Sequence, residues 1–137
     1  MPLWIQILPG SDEPIYVQIT EQISEAIARG RLASGDKLPA VRKLASELVI
    51  NPNTVARAYS LLEQGGLVTT KTGSGTFVSD PKLRKSDAAD INMLTERMDT
   101  LITRGLNLGM KDNDLIRLFE NRLAKFCNES NKQKEEK

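Results

Sequence analysis

Residues 38–78, LPAVRKLASELVINPNTVARAYSLLEQGGLVTTKTGSGTFV, decide the fold of this chain. Val41, Leu44, Ala45 and Leu48 recur at i, i+3, i+4 and i+7, with Arg42, Lys43, Ser46 and Glu47 off that stripe, so the spacing predicts a short amphipathic helix. Asn51 offers a capping side chain and Pro52 suits the first helical position, where a missing N–H costs nothing. A longer helix follows, with Val55, Ala58, Tyr59 and Leu62 turned inward. Gly65-Gly66 stops it. Leu67–Thr70 and Thr76–Val78 read as two short strands around the turn Thr72-Gly73-Ser74-Gly75. Helix, tight turn, helix and hairpin in this order predict a winged helix-turn-helix, a scaffold that lays one helix in the major groove of DNA.

The outward face of the longer helix carries Asn53, Arg57, Ser60 and Gln64, spaced four, three and four residues apart. Amides, a hydroxyl and a guanidinium on one face can hydrogen-bond to base edges and phosphates. An ordinary solvated face is the alternative, and for Arg57 taken alone the two readings are balanced. The Asn-Pro start, the short turn and the hairpin favour the first. A protein–protein interaction module on the same scaffold is the competing function, but that use calls for exposed aromatic and aliphatic residues rather than this polar set.

Ile15, Ile19, Ile23, Ala26 and Ile27 mark a first helix from about Ile15 to Arg29, and Leu3–Leu8 reads as a strand before it, stopped by Pro9-Gly10. Trp4 suits a core or interface anchor, with ligand stacking as the alternative. Leu32–Lys37 reads as a turn leading to Pro39. Beyond Asp80-Pro81 the character changes. Lys82, Arg84, Lys85 and Ser86 form a basic linker, and Ile91, Leu94, Met98, Leu101, Gly105 and Leu108 then make an a/d-like seam broken by Gly109. Asp112 or Asn113 caps a last helix whose apolar face is Leu115, Leu118, Phe119, Leu123 and Phe126. Met93, Met98 and Met110 suit gap-filling core positions, with a flexible ligand pocket as the alternative.

Domain boundaries are therefore expected at 1–80 for the winged helix-turn-helix, 81–127 for a helical hairpin and 128–137, NESNKQKEEK, for a charged disordered tail. The fold class is mainly α with a small β wing. Two helices cannot bury all their apolar surface alone, so the hairpin is expected to pack against its twin in a homodimer. Its dimerisation residues are Ile91, Leu94, Met98, Leu101, Leu108, Leu115, Leu118 and Phe119.

The chain also resembles a known family. Pro14-Ile15-Tyr16-Val17-Gln18-Ile19, Gly35-Asp36-Lys37-Leu38-Pro39, Val41-Arg42-Lys43-Leu44-Ala45, Asn51 to Tyr59, Leu62-Glu63, Gly65-Gly66-Leu67 and Gly73 to Val78 match, in order and spacing, the GntR transcription regulators and their short YtrA-like subgroup. The resemblance covers residues 12–80. It implies that Arg42 meets the phosphate backbone, that Asn53, Thr54 and Arg57 lie at the major groove, and that the wing around Thr72 and Gly73 reaches a minor groove. Lys37, Lys43, Ser60, Lys71 and Ser74 complete the DNA-contacting set. It implies a repressor that binds a palindromic operator and controls an operon for an ATP-binding-cassette transporter. Two positions depart from the pattern. Thr72 stands where many members have arginine, and Ala40 stands where serine is common, removing a helix cap.

Composition fits this picture. With 39% hydrophobic and 4% aromatic residues the core is aliphatic. The net charge is only +1, but residues 37–78 hold five basic against two acidic residues, while Asp12, Glu13, Glu21 and Glu25 gather near the first helix. A basic edge with an acidic back still orients on phosphate. The chain has no histidine, which removes His-based triads, acid–base pairs and metal centres, and the lone Cys127 has no partner for a disulfide or zinc site. No phosphate-loop motif, signal peptide or 18-residue apolar run occurs, so a cytoplasmic protein without cofactor, membrane contact or enzymatic activity is expected. Any small-molecule effector is unidentified. The hairpin is too small to wall a cavity of ~300–1,000 Å³, so such a ligand is expected between subunits or between hairpin and DNA-binding domain.

Overall fold

The computed structural model describes residues 5–81 and 87–135, with the side chains of 129–135 left aside. Leu3, Trp4 and the basic linker Lys82, Arg84, Lys85 and Ser86 lie outside these residues. The chain divides into two compact units, residues 1–84 and 85–137. The first holds α1 (Ile15–Ala28), α2 (Val41–Leu48), α3 (Pro52–Gln64), β1 (Val68–Lys71) and β2 (Gly75–Val78), and the second holds α4 (Ala88–Asn107) and α5 (Asp112–Glu135). The fold is a winged helix-turn-helix followed by a helical hairpin.

The core of the first unit is aliphatic. Ile19 and Ile23 of α1 meet Leu44 and Ala45 of α2, Val55, Ala58 and Leu62 of α3, and Val68 and Val78 of the wing. The helical residues among them are the inward positions that the 3.6-residue spacing picks out. Ile15 and Ile27, at the ends of the α1 stripe, are half-buried. Asn51 caps α3 by accepting from the Asn53 N–H at 2.8 Å, with Pro52 at the first helical position. The buried Tyr59 hydroxyl donates to the Pro39 carbonyl at 2.8 Å and so ties α3 to the entry of α2. Burial raises the pKa of Tyr59, which keeps that hydroxyl protonated.

Four helices end in the same device, in which a left-handed residue follows the last turn and the next N–H reaches back five residues. Arg31 donates to Ala26, Ile50 to Ala45, Leu67 to Leu62 and Met110 to Gly105. The left-handed residue is Gly30, Gly66 or Gly109 in three of them, but in the turn between α2 and α3 it is Val49, at φ 56° and ψ 52°.

Two expectations about the first unit are corrected. Ile5–Leu8 is not a β-strand. Gln18 accepts from the Leu8 N–H at 2.9 Å and donates to the Leu8 carbonyl, and Gln22 does the same for Gln6 at 2.9 and 2.8 Å. Alternate residues of an extended segment are about 6.6 Å apart and i, i+4 residues of a helix rise about 6 Å. Two glutamine amides on α1 therefore replace a partner strand. The Leu32–Lys37 segment is also more than a turn. Leu38 donates to Thr76, Val78 to Asp36 and Gly35 to Val78, so Asp36–Leu38 adds a third strand-like edge to the wing beside β2.

In the second unit Asp87 and Asp90 form a reciprocal capping box at the start of α4. Of the two expected caps, Asp112 accepts from the first-turn Asn113 N–H at 2.8 Å. The helix starts at Asp112, and Asp114 accepts from the Lys111 N–H at 3.0 Å. The stretch expected to be a disordered tail is helical as far as Glu135. It lacks Pro and Gly, and lengthening an existing helix avoids the nucleation cost that an isolated segment would meet. Gly105 is not a seam position. It is buried in the hairpin, and a Cβ placed there would clash with Cδ2 of Leu115. Leu115 is accordingly engaged inside the subunit. Met93 and Met98 are exposed rather than core residues, because a two-helix hairpin has only one inner face. No described helix is long and apolar enough to cross a membrane.

Candidate nucleic-acid interface

The helix-turn-helix presents α3 outward. Asn53, Arg57, Ser60 and Gln64 are exposed, Thr54 is half-exposed, and Val55, Ala58, Tyr59 and Leu62 are buried beneath them. Core packing thus fixes which polar side chains face solvent. Arg42 and Lys43 sit exposed in the first turn of α2. Ala40, at the cap of that helix, has backbone angles suited to capping (φ −58°, ψ 147°) and no side-chain bond to supply.

The wing is a tight antiparallel hairpin in which Lys71 faces Gly75 and Val68 faces Val78. Ser74 donates to Lys71 across the turn, and Thr72, Gly73 and Ser74 are exposed at its tip. The free edge of β1 is pinned from α3, whose Glu63 accepts from the Thr70 N–H at 2.6 Å. This bond holds the wing against the end of the helix that would enter a groove.

Gly75 has a specific role here. A Cβ at this residue would lie 2.7 Å from Cε of Lys37, so the missing side chain is what lets Lys37 cross the hairpin. Lys71 stands on the opposite strand beside the same glycine, with Nζ 5.1 Å from the centroid of the Phe77 ring. Two cations therefore gather on the wing. Among the described residues, none of Lys37, Arg42, Lys43, Arg57 and Lys71 forms an ion pair with a carboxylate. Unneutralised cations beside an exposed polar helix suit a polyanion.

One neighbour escaped the sequence reading. The guanidinium carbon of Arg57 lies 3.8 Å from the centroid of the Tyr16 ring on α1. The residues are 41 positions apart, and no local pattern links them. The described residues contain no cluster of His, Cys, Asp and Glu able to hold a metal ion.

Comparison with known proteins bears on this geometry. Residues 15–78 match the model for bacterial regulatory proteins of the gntR family. The chain is 42% identical over 98 residues to the HTH-type transcriptional repressor YtrA of Bacillus subtilis, covering 72% of this chain and 75% of that protein. The chain belongs to the GntR family.

A second relative, the uncharacterized HTH-type transcriptional regulator YhcF of Bacillus subtilis, is 36% identical over 77% of this chain and 87% of its own length. Among solved structures, a protein described as a transcriptional antiterminator from Listeria monocytogenes is 30% identical, with a TM-score of 0.75 over 85% of this chain and 87% of its own. YtrA from Sulfolobus acidocaldarius, a GntR-family transcription factor, is 34% identical, with a TM-score of 0.53 over 88% of this chain and 97% of that chain. The similarity thus extends past the winged helix into the hairpin. Members of the family are DNA-binding transcription regulators and not enzymes, which agrees with the reading of this chain.

Proposed function

We propose that this GntR regulator is a homodimeric, sequence-specific repressor acting in the cytoplasm on a palindromic operator. The observation that carries the reading is the exposed Asn53–Arg57–Ser60–Gln64 face of α3, flanked by unneutralised cations on α2 and the wing. Each α3 enters a major groove, Arg42 and Lys43 meet phosphates, and the wing with Lys37, Lys71, Thr72, Gly73 and Ser74 lies along the adjacent backbone and minor groove. Repression is supported by likeness to a named repressor. The YtrA-like resemblance extends the proposal to an operon for an ATP-binding-cassette transporter.

Dimerisation is assigned to the second unit. Ile91, Leu94, Met98 and Leu101 on α4, Leu108 at its C-terminal cap, and Leu118 and Phe119 on α5 are each 41–77% exposed in the single chain. So much apolar side chain on one hairpin marks an interface rather than a solvated surface. A twin hairpin covers it and sets the two α3 helices about 34 Å apart, the spacing of successive major grooves.

Fluorescence anisotropy with DNA from upstream of the protein's own gene tests the groove assignment. Arg57→Ala should weaken binding by about 1–3 kcal/mol and relax preference at one position per half-site. Arg42→Ala should weaken all sequences alike and lower the salt slope by about one. Binding unchanged by both substitutions would overturn the proposal.

A further inference from the structure

We propose that Tyr16 is a positioning residue for DNA readout, its ring holding the Arg57 guanidinium in place before DNA arrives. The inference rests on the assignment of α3 to the groove. Arg57 leaves the exposed face of α3, yet its guanidinium carbon sits 3.8 Å from the centroid of a ring on another helix. Tyr16 is in the first turn of α1, and α1 is anchored to α3 through the buried Ile19 and Ile23. The ring is thus part of the rigid scaffold, whereas the arginine side chain has several rotatable bonds.

An arginine that must be immobilised on binding loses affinity to lost rotamer freedom, and one already held loses less. The kind of partner matters as much as its presence. A carboxylate would hold Arg57 but would neutralise it and occupy its donors. An aromatic face attracts the cation through its quadrupole while accepting no conventional hydrogen bond, so the guanidinium N–H groups stay available to a base edge. Tyr16 and Arg57 come from separate parts of the winged helix, and only α1–α3 packing joins them.

The test uses the full chain and a duplex that the wild-type protein selects from a random 24-bp library, with an unselected duplex as control. Arg57→Ala should weaken binding to the selected duplex about 5- to 100-fold. Tyr16→Leu should weaken it about two- to fivefold, the worth of an exposed cation–π pair. Affinity for the control duplex should not change. Tyr16→Phe, which keeps the ring, should bind as wild type. In an Arg57→Ala background Tyr16→Leu should add nothing, which separates positioning from any general damage to the fold.

Three results would overturn the inference alone while Arg57→Ala still weakens binding. Tyr16→Phe binding as poorly as Tyr16→Leu would make the hydroxyl a direct contact. A Tyr16→Leu loss that persists without Arg57 would make the role structural. Tighter binding by Tyr16→Leu would mean the ring withholds the arginine from DNA. Wild-type affinity for Arg57→Ala would instead remove the groove assignment, and this inference with it.

Discussion

Val49→Gly should stabilise the protein, and the size of the gain can be worked from the turn between α2 and α3. Val49 occupies the left-handed position that Gly30, Gly66 and Gly109 occupy at the other helix ends. For an L residue this conformation costs roughly 1–2 kcal/mol, and a β-branched side chain stands at the upper end. The valine recovers little by packing, since it is 89% exposed. Glycine removes the strain but brings extra unfolded-state entropy worth about 0.5–1 kcal/mol. The net gain is about 0.5–1.5 kcal/mol. For a unit of this size each kcal/mol moves Tm by about 4–8 °C. Urea titration at a fixed protein concentration should show a higher midpoint with the slope unchanged. Val49→Asn should fall between the two, because asparagine tolerates the left-handed region better than valine. Operator affinity should stay as in wild type. A lower midpoint for Val49→Gly at unchanged slope would refute the strain argument.

The remaining predictions concern a cap, a buried hydroxyl and the hairpin. Ala40→Ser should raise stability by about 1 kcal/mol in the same titration, because the backbone at this N-cap is ready and lacks only a side-chain acceptor. Tyr59→Phe should cost about 1–3 kcal/mol by leaving the Pro39 carbonyl without its donor. Because the folded-state pKa of Tyr59 lies above the unfolded value of about 10, wild-type stability should be level below that pH and fall as pH rises beyond it. Tyr59→Phe should show a smaller fall over the same range in denaturation curves. Leu101→Glu should yield monomers with weak operator affinity, because it sets a charge on the exposed apolar face of α4. Sedimentation showing that variant still dimeric at micromolar concentration would remove α4 from the interface.

Where a side chain answers to neighbours a few residues away, the chain was legible before its fold was known. The i, i+3, i+4 stripes name Leu44, Ala45, Val55, Ala58 and Leu62 as buried, and all five are. The Asn51-Pro52 pair names the start of α3, and Gly73 and Gly75 name the wing turn. Because burying one face of α3 exposes the other, the Asn53–Gln64 set follows from the same periodicity. The order of these local signals was enough to identify a winged helix-turn-helix.

Other features depend on residues that meet only after the helices pack. Ile5–Leu8 looks like a strand because apolar alternation carries no information about what pairs with the backbone, and here the pairing groups are Gln18 and Gln22. Asp36–Leu38 joins the wing as a strand-like edge because β2, some forty residues later, presents free backbone groups to it. Lys37 crosses Gly75, Leu115 fills the space over Gly105, and Arg57 rests against Tyr16 for the same reason. Periodicity specifies which face of an element is buried, since that depends on the geometry of one helix or strand. Which residue lies opposite is set by the crossing of two elements, and that geometry exists only in the folded chain.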